Sequence, residues 1–179
     1  MKNPFEQLEA LQPGAAHCFE ETVSIILRAT VKDARRVKVF RGDGGVDSFT
    51  GIWGQDGELD VYQIKCLHTP WGNSQKKQIR DAFKTATDSK EFNLRQWVLV
   101  VPSDLTKEDW QWFDEWRVKQ TKGKEHKIDI WEGSRLSDIL LQPECGDARQ
   151  KLREWGVQGL PSSATCHRSK CFVVFDLTS

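Results

Sequence analysis

The segment Trp97-Val98-Leu99-Val100-Val101 is apolar without a break, and Pro102 ends it. A strand with one wet face alternates apolar and polar residues, whereas an unbroken apolar run suits a strand covered on both faces. Such a strand needs a sheet flanked by helices, which makes the chain α/β. The remaining segments fit that demand. Ala15 to Thr30 carries Phe19, Val23, Ile26 and Thr30 on one helical stripe with Leu27 on its flank. Residues 35–40 (RRVKVF) and Val46 to Trp53 read as strands around a Gly-rich turn at 42–45. Residues 54–57 read as a hairpin loop leading to a third strand, Leu59 to Cys66. Ser74 is placed to cap a helix carrying Ile79, Ala82, Phe83 and Ala86. Thr106 and Asp109 resemble a capping box that opens a helix to about Val118. Ile128 and Ile130 mark a last strand, and Leu136 to Leu140 and Ala148 to Trp155 mark helices. The expected order is α-β-β-β-α-β-α-β-α, a strand meander followed by helical crossovers, hence a mixed sheet.

At 179 residues the chain has room for one core. Residues 1–14 read as a short lead, and 1–160 as a single domain. Residues 161–179, rich in Ser, Thr and Cys, read as a tail or edge element without assigned chemistry. No run approaches the roughly 18 apolar residues of a membrane helix. The N-terminus lacks an apolar signal core, so the expectation is a cytoplasmic protein with no membrane partner. Five cysteines (18, 66, 145, 166 and 171) match no disulfide framework and read as reduced thiols; Cys166, His167 and Cys171 lack the spacing of a zinc site. Trp71, Trp110, Trp112 and Trp116 read as packing residues. Basic and acidic residues number 26 each, so the net charge is zero. That balance excludes a protein coating nucleic acid by bulk charge, but not a locally basic face.

One group of polar residues needs a chemical reason. Asp47 follows the Gly-rich turn at the start of the second strand, and Gln63 and Lys65 stand two apart in the third. Alternation puts Val61, Gln63 and Lys65 on one face and Tyr62, Ile64 and Cys66 on the other, the expected core face. A short hairpin brings the start of one strand opposite the end of the next, so Asp47 comes near Gln63 and Lys65. A carboxylate and an amide carbonyl are hard oxygen ligands suited to Mg²⁺. Such an ion polarises a phosphodiester and lowers the pKa of bound water, and a lysine stabilises the developing charge. A helix carboxylate would complete the set. Glu20 lies at the edge of the first helix's apolar stripe, beside Val23 and Leu27, whereas Glu21 falls on the expected solvent side. Asp43, inside the turn, rivals Asp47, but aspartate is common in turns for backbone reasons.

Phe19-Glu20, Gly42-Asp43-Gly44-Gly45-Val46-Asp47 and Gln63-Ile64-Lys65 together resemble the PD-(D/E)xK nuclease superfamily, and within it the Mrr-like restriction endonuclease branch. The motifs span about Ala15 to Val101. The resemblance implies a restriction-endonuclease-like fold with an α-β-β-β-α-β core. It also implies a Mg²⁺-dependent DNA endonuclease, with Mn²⁺ as a substitute, acting as an effector in restriction or antiphage defence. Asp47 would be the metal aspartate, Gln63 would hold the second ligand position, Lys65 would be the catalytic lysine and Glu20 the helix carboxylate. The proline of the family's name is absent, with Val46 before Asp47, and Gln63 replaces the commoner acid. A homodimer or higher oligomer and a sensor or regulatory partner are expected by the same resemblance. The alternatives are a catalytically weakened nucleic-acid-binding module, or a nuclease acting on RNA or branched DNA.

The basic residues cluster. Residues 28–41, 76–84 and 117–127 are rich in Lys and Arg, while 104–115 is an acidic block with five acids against one lysine. Phosphate contacts need such clusters. Lys76, Lys77 and Arg80, on the helix after the Lys65 strand, are the candidate DNA contacts, and that helix's N-terminus is suited to a phosphate. The blocks at 28–41 and 76–84 are expected to border the face that holds Asp47.

Overall fold

The computed structural model describes residues 3–11, 13–37 and 46–161. In chain order these form a 3₁₀ segment (Pro4–Leu11), α1 (Ala15–Thr30), β1 (Arg35–Arg36), β2 (Ser48–Gly51) and β3 (Glu58–Ile64). Then follow α2 (Asn73–Thr87), β4 (Asn93–Val100), α3 (Lys107–Thr121), β5 (Lys127–Trp131), α4 (Gly133–Leu140) and α5 (Gly146–Glu154). The molecule is α/β, with one five-stranded mixed sheet in the order β1-β2-β3-β4-β5. β2 is antiparallel to both neighbours, and β3, β4 and β5 run parallel.

Both parallel crossovers step the same way along the sheet. A right-handed connection then lays α2 and α3 on the same face. The opposite face is filled by α1, α4, α5 and the 3₁₀ segment. The apolar run divides between these layers: Val98 and Val100 join Tyr62, Ile64 and Trp131 against α1, whereas Trp97, Leu99 and Val101 join Val61, Ile128 and Ile130 against α2 and α3. The face shared by Val61 and Gln63 is therefore a second core, not a polar one. The expectation of a single core face on β3 fails because the sheet is covered twice.

Local chemistry sets several boundaries. Thr106 caps α3 by accepting the Asp109 N–H at 3.1 Å. The reciprocal half of the expected box is not made: Asp109 Oδ1 instead accepts the Trp71 N–H at 3.0 Å, tying the loop after β3 to α3. α2 starts two residues earlier than expected. Its N-cap is Gly72, whose N–H is taken by Gln75 Oε1 at 3.2 Å, and Ser74 lies inside the helix. The lead before α1 is structured: Phe5 and Leu8 are fully buried and Phe5 meets Phe19 edge to face at 5.8 Å. Of residues 35–40 only Arg35–Arg36 form a strand within the described chain; the turn at 42–45, Asp43, and the Cys166–Cys171 region lie outside the described residues.

Gly133 opens α4 where the chain approaches Asn3 and Pro102 closely. A Cβ there would lie 2.5 Å from the Pro102 carbonyl and 2.0 Å from Asn3 Nδ2. Asn3 cannot simply swing away, because its amide donates to Pro102 O at 2.7 Å and accepts the Phe5 N–H at 2.9 Å. Gly133→Ala is expected to cost about 1–3 kcal/mol by overpacking, read as a lower urea midpoint with unchanged slope. A midpoint equal to that of the parent would refute this docking of the N-terminal segment.

Candidate active site

The site lies at the carboxyl ends of the parallel strands, where open α/β sheets leave a crevice. Ser48 pairs with Tyr62, so Asp47 comes opposite Gln63, as the hairpin argument required. Gln63 Nε2 donates to Asp47 Oδ2 at 2.5 Å, and the Ile64 N–H donates to the same oxygen at 2.8 Å. Burial pushes the Asp47 carboxyl up from 3.8 to about 6. The Ile64 N–H, the Lys65 charge and the Gln63 amide pull it down and the Glu20 charge pushes it up, but burial dominates. Three of the predicted residues thus act on the carboxylate of the fourth, Asp47: Gln63 by direct contact, Lys65 and Glu20 through their charges.

Gln63 is 1% exposed, and its Oε1 is buried without a hydrogen-bond partner among the described residues. An orphaned buried acceptor costs about 1–3 kcal/mol. An oxygen left bare beside a carboxylate that resists ionisation is a place where a cation would relieve both. The donor chemistry, two carboxylates and an amide oxygen, fits Mg²⁺. Among the described residues no cluster of three or more His, Cys, Asp or Glu could hold a metal by those types alone, so a site built from the described residues depends on Gln63 and on further oxygens.

Glu21 does not face solvent as expected. Its Oε2 lies 2.7 Å from Lys151 Nζ on α5, and its Oε1 lies 3.6 Å from His17. The Lys151 hydrogen bond, chiefly, holds its carboxyl below the usual range. Glu21 thus fastens α1 to α5, while the charge of Glu20 acts on Asp47 and Cys66 at the strand ends. Cys66 also lies there; burial, then the charge of Glu20, pushes its thiol up to about 11, so it stays protonated at neutral pH. His68 and Ser103 stand there too, outside the predicted set. His68 Nδ1 lies 3.0 Å from Ser103 Oγ and its Nε2 lies 3.7 Å from Cys66 Sγ. Their position just past the carboxyl ends of β3 and β4 was the available signal.

The basic blocks divide. Lys77 and Lys84 are paired on their own helix with Asp81 and Asp88, while Lys76 and Arg80 lie against Trp112. Arg35 reaches the Gly51 carbonyl at the hairpin end of β2, away from Asp47, and Arg117 pairs with Asp114. Trp71 is buried, as packing demands, whereas Trp110 is 37% exposed and departs from the packing role expected of it. Among the described residues no helix is long and apolar enough to cross a membrane. Comparison with protein-family models, with curated proteins and with solved structures finds no match for this chain.

Proposed function

We propose that this chain is a Mg²⁺-dependent endonuclease of restriction-endonuclease-like fold that hydrolyses DNA phosphodiester bonds in the cytoplasm. In this reading it is an effector domain of a restriction or antiphage system, working as a homodimer or under a sensor partner. The observation that carries the reading is the Asp47–Gln63 pair: a buried carboxylate beside an amide oxygen with no partner, both under the charges of Lys65 and Glu20. The α-β-β-β-α-β order of α1 through β4 agrees with the resemblance of the Glu20, Asp47 and Gln63-Ile64-Lys65 motifs.

Mg²⁺, or Mn²⁺ in its place, would be held by Asp47, Gln63 and Glu20 and would supply an activated water and a polarised phosphate. The chain's own residues do the rest. Ile64 fixes the Asp47 carboxyl through its N–H. The β2–β3 pairing fixes Gln63 against it. Lys65 provides positive charge where the pentavalent phosphate gathers negative charge. The buried setting of Asp47 and Gln63 limits competing water, which strengthens each of these interactions.

Supercoiled plasmid incubated with the protein is expected to be nicked or linearised with Mg²⁺ and left intact with EDTA. Asp47→Ala and Lys65→Ala should each remove cleavage, the lysine by about 10²–10³-fold as for loss of one charge-stabilising donor. Cleavage surviving both substitutions would eliminate this site. A second reading, a nucleic-acid-binding module without activity, draws on the Gln63 amide donating to Asp47, which holds the pair together without a cation. DNA binding without cleavage under any divalent metal would establish it, and RNA and branched DNA substrates in the same assay decide the substrate class.

A further inference from the structure

Four basic side chains extend from α2. Lys77 and Lys84 are paired one turn along with Asp81 and Asp88. Lys76 and Arg80 stand four residues apart and so share one face. On that face they meet an aromatic ring: Lys76 Nζ lies 5.4 Å from the Trp112 centroid and Arg80 Cζ 6.0 Å. Neither forms an ion pair with a described carboxylate, Glu108 one turn before Trp112 included. Trp112 is itself fixed. It stacks on Trp116 at 5.9 Å with the planes 6° apart, and meets Trp71 edge to face at 5.9 Å. A ring orders a cation's stem without cancelling its charge, whereas a carboxylate does both.

The ledge is well placed. α2 and α3 begin beyond the carboxyl ends of β3 and β4, the end of the sheet that holds Asp47, Gln63 and Lys65. Trp71, in the loop leading into α2, is tied to α3 there through Asp109.

We infer that Lys76 and Arg80 are the backbone-phosphate contacts of a DNA strand running to the Asp47 site, and that Trp112 is the positioning residue that holds both cations ready. Lys77, adjacent in sequence and equally basic, is not a contact, because Asp81 already occupies it. The inference takes the nature of the ligand from the nuclease reading, but it concerns binding and is tested without catalysis.

Binding of a short fluorescein-labelled DNA duplex, followed by anisotropy in EDTA across a salt series, separates the possibilities. Lys76→Ala and Arg80→Ala are each expected to weaken binding and to flatten the dependence of log Kd on log salt by about 0.9, the loss of one phosphate contact. Lys77→Ala should leave affinity and slope unchanged. Trp112→Leu should flatten the slope although it removes no charge, and Trp112→Phe should restore it; a merely structural tryptophan would not change the slope. Circular dichroism checks the fold, and if Trp112→Leu unfolds, Trp112→Phe and the Lys76→Ala/Arg80→Ala pair decide. The inference falls if the pair binds with the parent slope, if Lys77→Ala loses as much, or if the parent binds no DNA. Plasmid cleavage that persists in the Lys76→Ala/Arg80→Ala pair without loss would overturn the ledge and leave the nuclease standing. Ledge-dependent binding with no cleavage under any metal would do the reverse.

Discussion

Asp47→Asn is expected to make the metal-free protein more stable at pH 7.5 while removing its response to Mg²⁺. The Asp47 carboxyl titrates near 6 in the fold against 3.8 as a free side chain. The folded chain therefore holds its proton more tightly than the unfolded chain, and between about pH 4 and 6 it binds more protons. Stability then falls as pH rises through that window. The full penalty at neutral pH is at most about 3 kcal/mol. Asparagine is neutral and keeps an oxygen for the Ile64 N–H, but its own amide must find a partner, so a gain of about 1–2 kcal/mol is expected, or roughly 2–8 °C in Tm for a chain of this size. Calorimetry in EDTA should show the gain at pH 7.5 shrinking below pH 6 and gone near pH 4. With Mg²⁺ added at about a hundred times its Kd, the parent should rise by about 2.7 kcal/mol and the variant should not. An asparagine variant that is less stable than the parent at every pH would mean that Asp47 is a structural carboxylate, with no unrelieved charge for a cation to meet.

The largest loss of stability is expected from Trp97→Ala. Trp97 is fully buried at the centre of β4, with Phe83 at 5.4 Å and Trp116 at 6.1 Å, both edge to face. Removing a large aromatic from such a site costs about 3–5 kcal/mol, the cavity included. Against a typical total of 5–15 kcal/mol that is enough to bring the domain to the edge of unfolding. The indole Nε1 has no partner among the described residues, so Trp97→Phe gives up no hydrogen bond and should lose far less than the alanine variant. Urea titration of both variants measures the difference; a loss below about 1 kcal/mol for Trp97→Ala would contradict the two-layer packing.

The elements most legible in the sequence were those whose evidence is local. The α1 stripe gave both of its ends, Thr106 gave the start of α3, and the apolar run at Trp97 gave a strand buried on two sides. The Asp47–Gln63 approach was legible too, because a short antiparallel hairpin leaves little choice of partner. The 3₁₀ lead was not: two buried residues, Phe5 and Leu8, are too few to make a period, and only their fit against α1 and α4 reveals them. The reading of β3 erred for a related reason. Gln63 and Lys65 look like a wet face beside Tyr62 and Ile64, yet α2 and α3 cover that face also, and the two apolar residues of β3 on it, Leu59 and Val61, are too few to mark it as core.

By itself, then, the sequence determined the kinds of elements, their order and the set of polar residues that the β2–β3 turn brings together, since these depend on neighbours within a few positions. Which charges are already spent was decided only by the tertiary structure. Glu21 is taken by Lys151 from α5, and Lys76 and Arg80 are steered by Trp112 from α3. The same burial that closes both faces of the sheet raises the Asp47 carboxyl and strips Gln63 Oε1 of a partner. Desolvation is a property of the packed layers, and no spacing along the chain encodes it.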